Sequence, residues 1–369
     1  MKKNPAIYYS TQIREDIRTR ILTGVFRKGE KLPSEGEIAG MYGVSRMTAR
    51  QALVELVVEG LIYRIPGKGT FVADSPVSAG RKTNGANKVI MIVPSMRHSF
   101  YWQIISAAGS VLEDYDIDMV IKCVEEDPIK EKKCFERLIN DSYIGVLLIA
   151  SYYTVENVMF LREISQKVPL VVMDVKIDDL KVDTVISDDR RGGFLATEHL
   201  IELGHRNILH LAGPEGDSSA DNRRTGYIEA LEKYNIQHKF KNIRFTDWSM
   251  RSGYYETKKF LMNDREGITA IFACNDEVAI GAYNAIKEAG KNVPENIALI
   301  GYGNLDVGKF LEVPLTSVEQ STDEMGRTGV RLLIERLSGY RKQDNSKDVV
   351  VPTRLVIRET CGINKKVRI

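Results

Sequence analysis

Gly43-Val44-Ser45-Arg46-Met47-Thr48-Ala49-Arg50-Gln51-Ala52-Leu53 decides how this chain is read. Gly43 turns the backbone, and Ser45 stands where a helix N-cap belongs. At 3.6 residues per turn, Arg46, Met47 and Arg50 share one face, while Ala49, Leu53, Leu56 and Val57 share another. The product is a helix with an apolar back and a narrow basic front in its first turns, the layout of a helix that reads the DNA major groove. Two arginines four residues apart are ordinarily a solvated face. Their surroundings argue otherwise.

Upstream, Ile13, Ile17 and Ile21 mark the buried stripe of a first helix over roughly Tyr8 to Thr23, stopped by Gly24. Gly29 and Pro33 shape a loop. Ser34-Glu35-Gly36-Glu37 is a capping box that opens a short second helix ending near Met41. Two helices joined through Gly43 make a helix-turn-helix. Downstream, Leu61–Ile65 and Thr70–Val72 flank Pro66-Gly67-Lys68-Gly69, a hairpin with Lys68 at its tip between two glycines that allow close approach to a phosphate backbone.

With the turn and the wing in place, Lys31-Leu32-Pro33-Ser34-Glu35, Val44-Ser45-Arg46-x-Thr48-x-Arg50-x-Ala52-Leu53, Glu59-Gly60-Leu61-Ile62 and Gly67-Lys68-Gly69-Thr70-Phe71-Val72 resemble the winged helix-turn-helix of the GntR family of bacterial transcription regulators. The resemblance covers residues 1–73. It implies that Arg46, Met47, Thr48 and Arg50 face DNA together with Ser34, Glu35, Gly67, Lys68, Gly69 and Thr70. Arg46 or Arg50 would pair with guanine, for about 1–3 kcal/mol of discrimination each. Ser45 and Thr48 are assigned to phosphate, and Met47 either touches a thymine methyl or fills space.

The composition agrees with a polyanion-binding head. Residues 1–87 hold 14 Lys/Arg against 8 Asp/Glu, and the remainder 38 against 42, so a net charge of +2 hides a basic head on a mildly acidic body. At 369 residues, two domains are the prior. No apolar run has the length of a membrane span, and MKKNPAIYYS has no apolar core for a signal peptide, so a cytoplasmic location is expected. The four cysteines show no CxxC spacing and read as buried reduced thiols; the five histidines show no metal spacing. No metal, cofactor or catalytic set is expected: a GxSxG elbow and a Walker loop are both missing from the sequence.

Residues 74–87 (DSPVSAGRKTNGAN) read as a flexible linker. From Lys88 short β-branched runs alternate with helix-length segments: Val89–Val93, Met119–Cys123, Val146–Ile149, Leu170–Met173, Val185–Ser187, Ile208–Leu211, Ile243–Phe245, Ala270–Ala273 and Ala298–Gly301. That alternation predicts an α/β body of parallel sheets flanked by helices, in two lobes over residues 88–361, with a tail at 362–369. Ligands of such sheets bind beyond the carboxyl ends of the strands. There stand Phe100 and Tyr101, Asp174, Arg223, Trp248, Asn275 and Gln320, a set suited to a small polyhydroxylated ligand: aromatic rings cover C–H faces and forked polar groups pair with hydroxyls.

The body resembles the effector domain of LacI/GalR regulators, itself similar to periplasmic sugar-binding proteins. The resemblance is carried by Ala196–His205, Arg223-Arg224-Thr225-Gly226-Tyr227, Ala270–Ala282, Val293–Tyr302 and Pro314–Val318. It implies a cleft in which Arg223, Asn275 and Trp248 bind effector and Phe100 and Tyr101 form a wall. Bland alternatives stand beside these assignments. Arg223 would otherwise cap a helix or pair with Asp221, and Trp248 would be ordinary packing. Asp276 is assigned only a helix cap, and His199 and His205 a turn. One departure is plain: Gly301-Tyr302-Gly303-Asn304 stands where the family has Gly-aromatic-Asp-Asp, so its effector-contacting Asp is Gly303 here, with Asn304 or Asp306 as conceivable substitutes.

Head and body in this order resemble the arabinose-type repressors of the GntR family. The resemblance implies a homodimer that binds pseudo-palindromic operator DNA and is released from it by a sugar or sugar derivative. The rival is a DNA-tethered enzyme. Some GntR-like regulators carry an aminotransferase-like body, but none of its motifs occurs here.

Overall fold

A computed structural model describes residues 5–65, 68–73, 87–150, 155–263, 267–339 and 345–362. The chain divides into two compact units, Met1–Val185 with Gly326–Val349 and Ile186–Met325 with Val350–Ile369. No helix among the described residues is long and apolar enough to cross a membrane.

The head opens the first unit. It comprises α1 (Pro5–Leu22), α2 (Glu35–Tyr42), α3 (Arg46–Val58) and the hairpin β1 (Ile62–Ile65) and β2 (Gly69–Val72). The capping box predicted at Ser34 is present: the Glu37 N–H donates to Ser34 Oγ at 3.3 Å and the Ser34 N–H to Glu37 Oε2 at 2.7 Å. Gly43 adopts φ 63°, the left-handed conformation that ends α2 and turns the chain into α3. Ile13 and Ile17 of α1 pack with Ile38, Ala49, Leu53 and Leu56 in one small core, which Ile62 and Val72 of the wing complete. Burying that stripe is what joins the three helices, since most helical stability in a protein comes from packing an apolar face. Ile21 and Val57 are only partly buried at its margin.

Two six-stranded sheets follow. The first unit contains β3 (Lys88–Val93), α4 (Ser99–Glu113), β4 (Asp118–Cys123), α5 (Pro128–Leu138), β5 (Gly145–Ile149), α6 (Val155–Lys167), β6 (Leu170–Met173) and β7 (Asp183–Ser187). The second contains α7 (Asp189–Glu202), β8 (Ile208–Ala212), α8 (Ser218–Lys233), β9 (Ile243–Phe245), α9 (Met250–Asn263), β10 (Ala270–Ala273), α10 (Asp276–Glu288), β11 (Ala298–Tyr302), α11 (Asp306–Lys309) and β12 (Thr316–Glu319). Then α12 (Thr322–Leu337), β13 (Asp348–Val351) and β14 (Arg354–Val356) complete the sheets. The strand orders are β13-β7-β6-β5-β3-β4 and β14-β12-β11-β10-β8-β9. β5, β6, β8, β10 and β11 are buried along their whole length, as strands covered by helices on both faces must be, which is why they read as unbroken apolar runs. β12, β13 and β14 escape the sequence reading because β12 is a Thr-Ser-Val-Glu run without an apolar pattern, and β13 and β14 are sheet-edge strands with half-exposed residues instead of a buried apolar run.

Each sheet reverses its winding once, between β3 and β5 and between β8 and β10. Helices leaving the two central strands go to opposite faces, so their carboxyl ends leave a crevice open for a ligand. In the second unit the crevice lies at Gly213 and Cys274. All four cysteines are free, and Cys134, Cys274 and Cys361 are buried, as expected of reduced thiols.

Candidate functional site

The head presents its basic front as the helical period requires. Arg46 and Met47 are exposed, Met47 at 66%, and Ala49 and Leu53 lie beneath. Arg50 lies between: its Nε stands 3.6 Å from Glu35 Oε1, which also accepts from Arg64 Nη2 at 2.7 Å. Glu35 therefore faces two arginines of the protein, tying the start of α2 to the reading helix and to the wing. Ser45 caps α3 through Thr48 N–H at 3.1 Å.

Thr48 departs from the expected outward position. It is 8% exposed with its hydroxyl 2.9 Å from Ser45 Oγ, because it lies one turn before the fully buried Ala52. Thr70 departs likewise: it is 6% exposed, on the inward side of the two-residue alternation of β2, and its carbonyl accepts from Leu32 N–H at 2.8 Å. Lys68 is exposed at the wing tip. Gly69 lets Lys31 cross the hairpin, since a Cβ there would stand 2.6 Å from Lys31 Cε. Gly67 lies outside the described residues.

In the second unit Arg223 projects from α8 at the crevice. Its Nε donates to Asp189 Oδ1 at 2.9 Å and its Nη1 to the Cys274 carbonyl at 2.7 Å. The guanidinium lies 3.9 Å from the Tyr302 ring centroid and 5.3 Å from that of Trp248. Tyr302 Oη donates to the same Asp189 oxygen at 2.8 Å. The helix crossing that makes this possible depends on missing side chains: a Cβ on Gly193 would stand 2.2 Å from the Arg223 carbonyl, and one on Gly226 2.0 Å from that of Arg190. Burial works against the Arg223 charge, but Asp189, Tyr302 and Cys274 together outweigh it and hold the group protonated. The pairing left open between Arg223 and Asp221 is made instead by Arg224, at 2.8 Å.

Trp248 follows β9 with φ 68°, a conformation uncommon in a residue with a side chain. Its indole rests against Gly213, where a Cβ would stand 2.7 Å away. Asn275 caps α10, with Oδ1 accepting from Val278 N–H at 2.7 Å and Nδ2 donating to the Trp248 carbonyl at 2.9 Å. The cap of α10 is thus Asn275, correcting the assignment to Asp276. Asp276 is fully buried inside the first turn and ties down the next crossover: it accepts from Leu305 N–H and Ser317 Oγ, both at 2.6 Å. Burial pushes its carboxyl up to about 6, against the pull of those bonds.

Gly303 has φ 113°, so the backbone itself disfavours a side chain. Both conceived substitutes for the missing Asp have partners within the chain. Asn304 donates to Glu319 and accepts from Arg358 at 2.6 Å, while Asp306 pairs with Lys309 at 2.6 Å. Gln320, beyond β12, is 3% exposed, and its Nε2 has no hydrogen-bond partner among the described residues. A buried amide donor in that state is suited to a ligand acceptor.

The first unit places Phe100 and Tyr101 in the first turn of α4, edge to face at 5.4 Å, with Asp174 after β6 at φ 74°. His199 and His205 behave as structural groups: His199 Nε2 lies 3.4 Å from Cys361 Sγ and His205 Nδ1 3.0 Å from Thr269 Oγ1.

The comparisons with known proteins bear on both parts. Bacterial regulatory proteins of the gntR family match residues 9–72, and a periplasmic binding protein-like domain matches residues 197–361. The arabinose metabolism transcriptional repressor of Geobacillus stearothermophilus is 28% identical over 356 residues, 95% of this chain and 96% of the relative. The HTH-type transcriptional repressor PurR of Pasteurella multocida is 30% identical over 335 residues, 88% of this chain and 97% of the relative. The chain belongs to the GntR-family transcription regulators of the arabinose-repressor type. The solved complex of the transcriptional regulator CelR with cellobiose superposes with a TM-score of 0.68 at 25% identity, covering 89% of this chain and 100% of that one.

For this GntR-type regulator, sequence reasoning missed Asp189 and Tyr302. Both stand at strand ends, Asp189 just after β7 and Tyr302 as the last residue of β11, so the rule that found Arg223 and Trp248 reaches them too. Neither was singled out because their link to Arg223 spans 34 residues in one case and 113 between Asp189 and Tyr302 in the other.

Proposed function

We propose that this regulator represses a carbohydrate-utilisation operon and leaves its operator when a small sugar or sugar derivative binds. The observation that carries the proposal is the wall at the second crevice: a guanidinium with its orientation fixed by Asp189 and the Cys274 carbonyl, beside Trp248, with the unpartnered Gln320 amide beyond β12. An indole face covers sugar C–H groups, while a fixed guanidinium and an amide donor suit hydroxyl oxygens. The cellobiose bound by CelR and the arabinose metabolism controlled by the Geobacillus relative favour the same class.

Arg223, Trp248 and Gln320 contact the effector, with Asn275 holding the Trp248 carbonyl and with Phe100, Tyr101 and Asp174 as further candidate contacts. Operator DNA meets Arg46, Met47, Arg50 and Lys68 directly, with Ser34, Ser45 and Gly69 at phosphate distance; Glu35, Thr48 and Thr70 position them. Two heads of a cytoplasmic homodimer engage the halves of a pseudo-palindrome. An effector that prefers the DNA-free arrangement releases the operator, and DNA weakens effector binding by the same factor.

A thermal-shift screen against pentoses, hexoses, deoxy sugars and their phosphates tests the effector class. A ligand at a hundredfold excess over Kd adds about 2.7 kcal/mol of stability. A hit is then added to the protein bound to a duplex that it has itself selected from a random pool. Release supports the proposal; a panel with no stabilising sugar, or a binding sugar that leaves the duplex in place, overturns it.

A further inference from the structure

Arg223 sits in a wall whose charges already balance. Its guanidinium and the Asp189 carboxylate are 6% and 4% exposed, in contact at 2.9 Å, so neither is neutralised by water or salt. Among the described residues of this unit, Arg224 pairs with Asp221, and Arg358 donates to two neutral acceptors, Asn304 and the Leu315 carbonyl, its charge acting on the Asp276 and Asp306 carboxyls. The anions are less balanced. Asp247, next to Trp248, is exposed, and its bonds from Ser249 hold its carboxyl below the ordinary value. A ligand that meets Arg223 and Trp248 finds donor groups and an aromatic face, with the guanidinium's charge balanced by Asp189.

We propose that Asp189 is a specificity-determining residue: by neutralising Arg223 it fits the wall to an uncharged polyhydroxylated ligand and sets it against a phosphorylated or carboxylated one. This rests on the reading that the effector contacts Arg223 and Trp248, and it settles a matter that reading leaves open, the ligand's charge. An anion that meets the remaining donors of the guanidinium also meets the field of the buried Asp189 carboxylate 2.9 Å from Nε, so it gains less from the arginine than it would from an unpaired one, whereas a neutral hydroxyl loses little. Tyr302, which donates to the same oxygen, holds Asp189 in place without contributing charge.

The test uses the full chain with Trp102→Phe, so that Trp248 is the only indole. First, arabinose, ribose, glucose and their phosphomonoesters are titrated calorimetrically. The free sugar that binds should do so at least about tenfold more tightly than its own phosphate; a phosphate that binds as well or better overturns the proposal, and this arm needs no variant at Asp189. Second, Asp189→Asn should narrow or reverse that preference, whereas Tyr302→Phe, which removes a hydrogen bond to the same oxygen but no charge, should keep it. An equal shift in both variants means loosened structure and overturns the proposal.

Third, iodide and acrylamide quenching of Trp248 is compared without any sugar. Asp189→Asn should raise the iodide constant about threefold at low salt and leave acrylamide quenching unchanged, because one negative charge has left the wall. Unchanged iodide quenching in a variant with native circular dichroism overturns the proposal. If no sugar or phosphate binds, the effector reading fails, and the iodide comparison still decides the role of Asp189.

Discussion

Replacing Asp276 with asparagine should stabilise the second unit at about pH 8. Asp276 is fully buried, and burial raises its carboxyl from 3.8 to about 6, even though Ser317 and Leu305 both donate to it. A rise of about 2 units makes the ionised form about 3 kcal/mol less favourable in the folded chain than in the unfolded one. An asparagine in the same place keeps the Leu305 N–H on its oxygen and donates from its amide to Ser317 Oγ, giving up only part of the weaker bond from the Tyr302 N–H. It therefore resembles the protonated acid and escapes the cost. Because the native state binds the proton more tightly, wild-type stability rises as pH falls through 6 towards 4, and the variant lacks that rise. The advantage of Asp276→Asn should be largest, about 3 kcal/mol, near pH 8 and gone below about pH 4. Urea unfolding followed by Trp248 emission, with Trp102 replaced by phenylalanine, reports on this unit. A variant less stable than wild type by the same amount at both pH values would refute the reasoning, since the carboxylate's bonds would then outweigh its burial.

Arg50→Ala should weaken binding of the selected duplex by about 1–3 kcal/mol in fluorescence anisotropy and leave effector-induced thermal shifts intact; an equal loss on random DNA would reassign Arg50 to phosphate. Gly213→Ala places a methyl group 2.7 Å from Trp248 Cη2 and 2.9 Å from Ala220 Cβ. Such overpacking costs about 1–3 kcal/mol, so effector affinity should fall and indole emission shift while duplex binding persists; unchanged affinity would remove Trp248 from the effector wall. Ser34→Ala breaks the capping box and should lower head stability by about 1 kcal/mol, read from the thermal melt of the isolated head transition.

Local patterns in the sequence define the head and strands β3 to β11. Capping boxes, a left-handed Gly43 and an isoleucine every four residues are local signals. They act within one or two turns of chain, so Ser34, Ser45 and the apolar back of the reading helix stand where the pattern requires. Unbroken apolar runs likewise mark strands buried on both faces, and the winding rule pointed to Arg223 and Trp248. Tertiary structure alone decided what those residues are bonded to. Thr48 and Thr70 turn inward because the margin of a small core is set by how three helices and a hairpin close on it. Glu35, expected to face DNA, stands against Arg50 and Arg64 of the protein. Arg223 chose Asp189 over Asp221, and Asn275 rather than Asp276 caps α10, because Asp276 was drawn into the buried crossover formed by Leu305 and Ser317. Which charge pairs with which is a contest among groups far apart in the chain. It is decided by burial, where an unpaired charge is costly, and no local pattern records the outcome.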